Sequence, residues 1–207
     1  MIDGPHIAVV DYGIGNLRSA EKALQHLGAR ARLTDDPVVI ASAAGVVLPG
    51  VGAFGACMRA LRASGLDAAT RRAATDGRPF LGVCVGMQML FDRSDETPGV
   101  PGLGIVSGNV RLLPRHVKLP QIGWNTIDVR NGSRLLAGLP SPPWLYFVHS
   151  YVGVPDDDEV VAGWSEHGER FAAAIEHGPV WATQFHPEKS GTTGLAVLGN
   201  FVEVCAR

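Results

Sequence analysis

The amino-terminal half of this 207-residue chain alternates short β-rich runs with stretches of helical periodicity, and that alternation is its tightest constraint on fold. Parallel strands need crossover connections, usually helices, so the pattern predicts an α/β class with a central mixed, mostly parallel sheet flanked by helices. Residues 6–10 read as a strand, 16–27 as a helix, 30–34 and 46–48 as strands, 55–63 as a helix and 79–83 as a strand. Cys84 stands at the next joint, followed by a helical run over 85–93 that can bury Met87, Leu90 and Phe91. From 105 to about 185 the runs shorten, with turn signals at Asn131-Gly132 and Pro155-Asp156-Asp157, which predicts extra antiparallel strands. A last helix over about 192–206 puts Leu195, Leu198, Phe201, Val202 and Cys205 on one face, making Cys205 a core residue. With no repeat, linker or charge run in view, a single domain over 1–207 is expected.

Composition narrows the function classes. Hydrophobic residues make up 46% and charged residues 18%, while Gly 26 and Pro 14 stay well below the roughly 25–30% share of low-complexity chains. Disordered and fibrous classes are excluded. Lys and Arg total 18 against 20 acidic residues, a formal charge of −2, so no basic field draws nucleic acid or an anionic membrane surface. Residues 38–58 carry no charge and match the length of a membrane span, but Gly45, Pro49, Gly50, Gly52 and Gly55 would break such a helix. A buried strand followed by a glycine-rich loop is expected there. The start, Met1 to Pro5, shows no leader pattern, and Cys57, Cys84 and Cys205 fit neither a disulfide framework nor paired zinc ligands. The expected location is the cytoplasm.

Two motifs carry chemistry. Gly82-Val83-Cys84-Val85-Gly86 is a cysteine form of the G-x-S-x-G elbow, at the predicted strand-to-helix joint. The glycines permit the turn, the following helix N-terminus favours thiolate, and the Val85 N–H would face a developing oxyanion. Pro49-Gly50-Val51-Gly52 is the candidate for a second donor. Taken alone, the motif fits equally well a small buried cysteine between two ordinary glycines. A base is required. His186-Pro187-Glu188 follows a predicted strand over 180–185, and in an extended segment residues two apart share a side. Glu188 can then fix the tautomer of His186 and stabilise its imidazolium. By itself this tripeptide also fits a surface loop with an incidental ion pair, and a zinc-deaminase reading fails because no Pro-Cys-x-x-Cys follows.

Among the other histidines, His6, His26, His116, His167 and His177 lack a comparable setting, and only His149 invites attention. Gly13-Ile14-Gly15 begins a dinucleotide fingerprint, but Arg18 stands where its third glycine belongs, and no P-loop motif occurs. No cofactor and no metal is expected.

Gly82-Val83-Cys84-Val85-Gly86-Met87-Gln88 with His186-Pro187-Glu188 resembles the class I, or triad, glutamine amidotransferases. Further blocks are similar to the branch of that family that supplies ammonia within imidazole glycerol phosphate synthase. They are Asp11-Tyr12-Gly13-Ile14-Gly15-Asn16-Leu17, Leu48-Pro49-Gly50-Val51-Gly52-Ala53-Phe54, Pro120-Gln121-Ile122-Gly123-Trp124-Asn125 and Tyr146-Phe147-Val148-His149-Ser150-Tyr151. Only the extra residues at the amino end depart from the pattern.

The resemblance implies the class I amidotransferase-like fold and glutamine hydrolysis. Cys84 would attack the carboxamide, His186 would act as base and deliver a proton to departing ammonia, and Glu188 would orient His186. It assigns the oxyanion hole to Val85 with Val51 and Gly52, and substrate contacts to Gly50, Gly52, Gln88, Glu96, Ser150 and Tyr151. Spacing lends support to Gln88, one helical turn past Cys84, and charge to Glu96 as a partner for the substrate ammonium. It further implies a separate (β/α)₈ cyclase subunit as heterodimer partner, met by Asn16 in the 11–16 loop, Trp124 and Lys189. Other readings remain open on residues alone: the glutaminase subunit of a different class I amidotransferase, a stand-alone cysteine hydrolase, or an inert α/β binding module.

Overall fold

The computed structural model describes residues 4–14 and 17–207. Its first half runs β1 (His6–Val10), α1 (Leu17–His26), β2 (Arg30–Thr34), α2 (Pro37–Ser42), β3 (Gly45–Gly50), α3 (Phe54–Ala63), α4 (Asp67–Thr75) and β4 (Phe80–Cys84). A one-turn helix α5 (Val85–Gln88) leads into β5 (Phe91–Ser94), β6 (Val106–Leu112), β7 (Gln121–Thr126), β8 (Asp128–Val129), β9 (Trp144–His149) and β10 (Tyr151–Pro155). The chain closes with β11 (Val161–Glu166), β12 (Arg170–His177), β13 (Val180–Thr183) and α6 (Gly191–Cys205).

An eight-stranded sheet has the order β2-β1-β3-β4-β13-β12-β11-β8. From β2 to β13 neighbours are parallel, and from β13 to β8 they are antiparallel. The class expected from the sequence is the one observed. β3 and β4 are buried along their whole length, as strands covered by helices on both faces must be, and they read as near-continuous apolar runs for that reason. α1 buries Leu17, Ala20 and Leu24, and it packs beside α6, whose Phe201 meets Trp181 of β13 edge-on at 6.2 Å. Phe201 is fully buried, which stabilises this layer by about 2–3 kcal/mol. Cys205 is a core residue as expected: it fills the space a side chain at position 45 would need, and burial pushes its thiol up to about 12.

A three-stranded sheet β10-β6-β5 and an antiparallel pair β7-β9 cover the carboxyl end of β4. In β7 and β9 alternation divides the faces. Leu145, Phe147 and His149 turn inward, while Ile122, Trp124 and Trp144 stay more than half exposed.

Several local expectations are corrected. The helix expected over 85–93 ends at Gln88, because the carbonyls of Met89, Leu90, Phe91 and Asp92 accept N–H bonds from Gly102 to Val106. A non-local pairing thus takes the groups a helix would have used, and Gly102 is needed there because a Cβ would lie 1.9 Å from Phe91 O. Met87, Leu90 and Phe91 are buried nonetheless. The 38–58 stretch contains, besides its strand and loop, part of α2, which starts at Pro37 and is capped by the Asp36 carboxylate on Val38 N at 2.8 Å. No helix among the described residues is long and apolar enough to cross a membrane. α4 has no counterpart in the sequence reading, since only Thr70, Ala73 and Ala74 are buried along it and their apolar signal is weak. In α6, Val197 is fully buried and Leu195 only in part, so the buried face is rotated from the expected one.

Candidate active site

Cys84 ends β4 with φ 55° and ψ −113°, and it is the one non-glycine residue with positive φ among those described. Such a conformation costs on the order of 1–3 kcal/mol, and the surroundings impose it. The elbow is pressed backbone to backbone against the end of β3. A Cβ on Gly86 would lie 1.9 Å from Leu48 O, one on Gly50 2.7 Å from Gly86 N, and one on Gly82 2.9 Å from Gly86 O. Side chains at these positions would push the turn off the sheet, so the glycines around Cys84 are there for close approach.

A cavity of about 380 Å³ opens over the sulfur. Val51, Gly52, Val85, Gln88, Glu96, Ser150, Tyr151 and Lys189 line it together with Cys84 and His186, so it gathers most of the residues predicted from sequence. Gly50 lies beneath it, packed on Val85.

His186 Nδ1 lies 2.8 Å from Glu188 Oε1, and both side chains are more than 90% shielded. The expected geometric reason is corrected: β13 stops at Thr183, and Pro187–Lys189 form a 3₁₀ turn that folds Glu188 back onto the ring. The backbone is braced as well. His186 N–H donates to Tyr146 O at 2.9 Å, Ser190 Oγ donates to His186 O at 2.6 Å, and Tyr146 N–H donates to Ser190 Oγ at 2.9 Å. The carboxylate keeps a proton on Nδ1 and leaves Nε2 for the sulfur. Burial opposes charge on His186, but its hydrogen bonds to Cys84 and Glu188 and their negative charges outweigh this and raise it to about 9. α5 is too short to carry much of a macrodipole, so the positive charge facing the sulfur is chiefly the imidazolium rather than the helix expected from sequence.

Gln88 is buried and donates to Tyr151 O at 2.9 Å and to Gln184 Oε1 at 3.0 Å. Gln184 in turn points its amide at Cys84 Sγ, 3.9 Å away. Sequence reading missed Gln184, although the alternation that paired His186 with Glu188 reaches it two residues earlier. Glu96 Oε2 accepts from Phe54 N–H at 2.7 Å, capping α3, whose N-cap Ala53 has no side-chain acceptor. Ser150 and Tyr151 sit at the joint of β9 and β10. His149 is buried against Phe147 and Phe171; its Nδ1 bonds Tyr151 O at 3.0 Å, and Nε2 has no partner among the described residues. Burial above all lowers it to about 4, so the ring is neutral at pH 7.

Trp124 is 52% exposed on the β7-β9 pair, edge-on to Tyr146 at 6.0 Å, and Lys189 is exposed at the cavity rim. Asn16 lies outside the described residues. Among these, no group of three or more His, Cys, Asp or Glu side chains converges as metal ligands would.

The family model for glutamine amidotransferase class-I matches residues 8–205. The imidazole glycerol phosphate synthase subunit HisH of Moorella thermoacetica is 48% identical over 198 residues, covering 96% of this chain and 94% of the relative. HisH of Methanothermobacter thermautotrophicus is also 48% identical over 198 residues, covering 96% and 98%. The solved structure of PurLQS from Thermotoga maritima superposes with a TM-score of 0.74 at 20% identity, covering 97% of this chain and 98% of that one, which speaks to the fold alone. A cysteine elbow, a buried His-Glu pair and two near-full-length relatives at this identity lead to one placement: the chain belongs to the class-I glutamine amidotransferase family and, within it, to the imidazole glycerol phosphate synthase subunit HisH group.

Proposed function

We propose that this chain is a glutaminase, hydrolysing glutamine to glutamate and ammonia with Cys84, His186 and Glu188. The observation that carries the reading is the buried 2.8 Å contact of His186 Nδ1 with Glu188, at the wall of the cavity into which the strained Cys84 elbow opens. His186 holds the proton taken from the thiol, so the thiolate attacks the carboxamide carbon of glutamine. Charge collects on the amide oxygen, where the Val85 N–H and a donor from Val51 or Gly52 receive it. His186 passes its proton to the departing ammonia, and then, as base, draws one from the water that hydrolyses the thioester. Gly50, Gly52, Gln88, Glu96, Ser150 and Tyr151 hold the amino acid, Glu96 facing its ammonium.

Ammonia released beside bulk water would be protonated and lost, so its product must leave by a sheltered route. The partner in this reading is the cyclase subunit of imidazole glycerol phosphate synthase, joined as a heterodimer. It consumes ammonia to make imidazole glycerol phosphate and an aminoimidazole carboxamide ribonucleotide in histidine biosynthesis. Asn16, Trp124 and Lys189 are the residues assigned to this contact, and the whole chain, 1–207, acts as one amidotransferase domain in the cytoplasm.

Glutamate release from glutamine is the test, with wild type and Cys84→Ala, each with and without the cyclase subunit and its nucleotide ligand. Release should rise sharply only in the complete wild-type mixture. A wild type that stays silent there contradicts the partnership, and release by Cys84→Ala contradicts the triad.

A further inference from the structure

The β3–α3 connection carries the backbone N–H groups assigned above to the oxyanion, and two buried side chains outside the triad hold it. Tyr12, in the loop after β1, donates its phenol O–H to Pro49 O at 2.7 Å and lies 3.8 Å from Met89 Sδ. Cys57 of α3 donates its thiol to Val51 O at 3.2 Å. Both residues are buried, and burial, the leading cause in each case, pushes the phenol and the thiol up, which keeps both groups protonated as donors.

A trans peptide sets its C=O and N–H on opposite sides. With the Val51 carbonyl drawn toward α3, the Gly52 N–H turns the other way, and Val51 and Gly52 line the cavity while Cys57 lies behind them. Gly52 itself has φ +83°, a conformation that suits a fixed, turned peptide. One residue before Val51, the Gly50 backbone presses on Val85 and Gly86, so a small rotation of this loop would move one oxyanion donor relative to the other. We infer that Tyr12 and Cys57 are positioning residues for glutamine hydrolysis: by holding the Pro49 and Val51 carbonyls, they keep the Gly52 N–H turned to the oxyanion formed at Cys84. This rests on the glutaminase reading.

The test uses the full chain with its cyclase subunit and compares wild type, Tyr12→Phe, Cys57→Ala and Cys57→Ser. Displacing an oxyanion donor acts on the transition state, so Tyr12→Phe and Cys57→Ala should each lower kcat about tenfold or more with KM for glutamine within about twofold. Cys57→Ser, which restores a donor, should recover most of the loss. Alkylation of Cys84 by iodoacetamide forms a C–S bond and expels iodide without any oxyanion, so its rate should match wild type in every variant. Wild-type kcat in both Tyr12→Phe and Cys57→Ala, equal loss in Cys57→Ser, or alkylation slowed in step with kcat overturns the inference alone. A wild type without glutaminase activity overturns the underlying reading and this inference with it.

Discussion

Cys84 and His149 show how far single residues depart from their ordinary states. At φ 55° the Cβ of Cys84 crowds its own backbone, and glycine is the residue that escapes this. Cys84→Gly should therefore be more stable than Cys84→Ala by about 1–2 kcal/mol, read from urea midpoints; equal midpoints would show that the elbow stores no strain. His149 is neutral in the fold because burial lowers it to about 4, against 6.5 in an unfolded chain. Between those values the unfolded chain binds the extra proton, so this contribution is fully present above pH 6.5 and is lost as the pH falls toward 4. The loss is on the order of 3 kcal/mol, and His149→Gln should flatten the stability-against-pH curve across that window. An unchanged slope would mean that the ring is hydrated in the fold.

Among the elements, the contact of the β4–α5 elbow with the end of β3 is the least forgiving. Both partners at Gly86 are backbone, and the Leu48 carbonyl, 1.9 Å from where an added Cβ would lie, has no rotamer to yield. Gly86→Ala should cost about 3 kcal/mol or more, seen as a lower urea midpoint, and should slow glutamate release in parallel; a wild-type midpoint would show that the elbow moves freely. The same elements show where sequence was readable. The Gly-x-Cys-x-Gly spacing at a strand end located the elbow at Cys84, since such a turn needs glycine at fixed offsets. The length of α5 was not readable, because it is set by carbonyl acceptors that Gly102 to Val106 claim from elsewhere in the chain. The turn that brings Glu188 to His186 is likewise a 3₁₀ fold rather than the expected extension, although the pairing itself is legible in the tripeptide.

Across the whole molecule, one face of β7-β9 is unusual. Register places Ile122 opposite Val148, Trp124 opposite Tyr146 and Thr126 opposite Trp144, so Ile122, Trp124 and Trp144 share one side, exposed by 63%, 52% and 54%. Apolar side chains gathered this way mark interaction surfaces, and aromatic residues tend to carry the binding energy. Trp124 stands out in the sequence; Ile122 and Trp144 join it only through strand pairing. Trp124→Ala should weaken binding to the proposed cyclase partner about tenfold or more while costing the isolated chain about 1 kcal/mol, the worth of its edge contact with Tyr146. Isothermal titration and thermal melts separate the two, and parallel losses would make Trp124 a folding residue.

Local chemistry was enough to reveal the α/β class, the first strands, the cysteine elbow and the His-Glu pair, because periodicity and turn residues act over a few positions. The cavity is different. Gln88 meets Gln184 across 96 positions, Phe54 meets Glu96 across 42 and Tyr12 meets Pro49 across 37. Such contacts exist because burying the core brings distant backbone groups together, and every buried donor then has to find an acceptor. That requirement acts on the folded chain, and it leaves no pattern in any short stretch of residues.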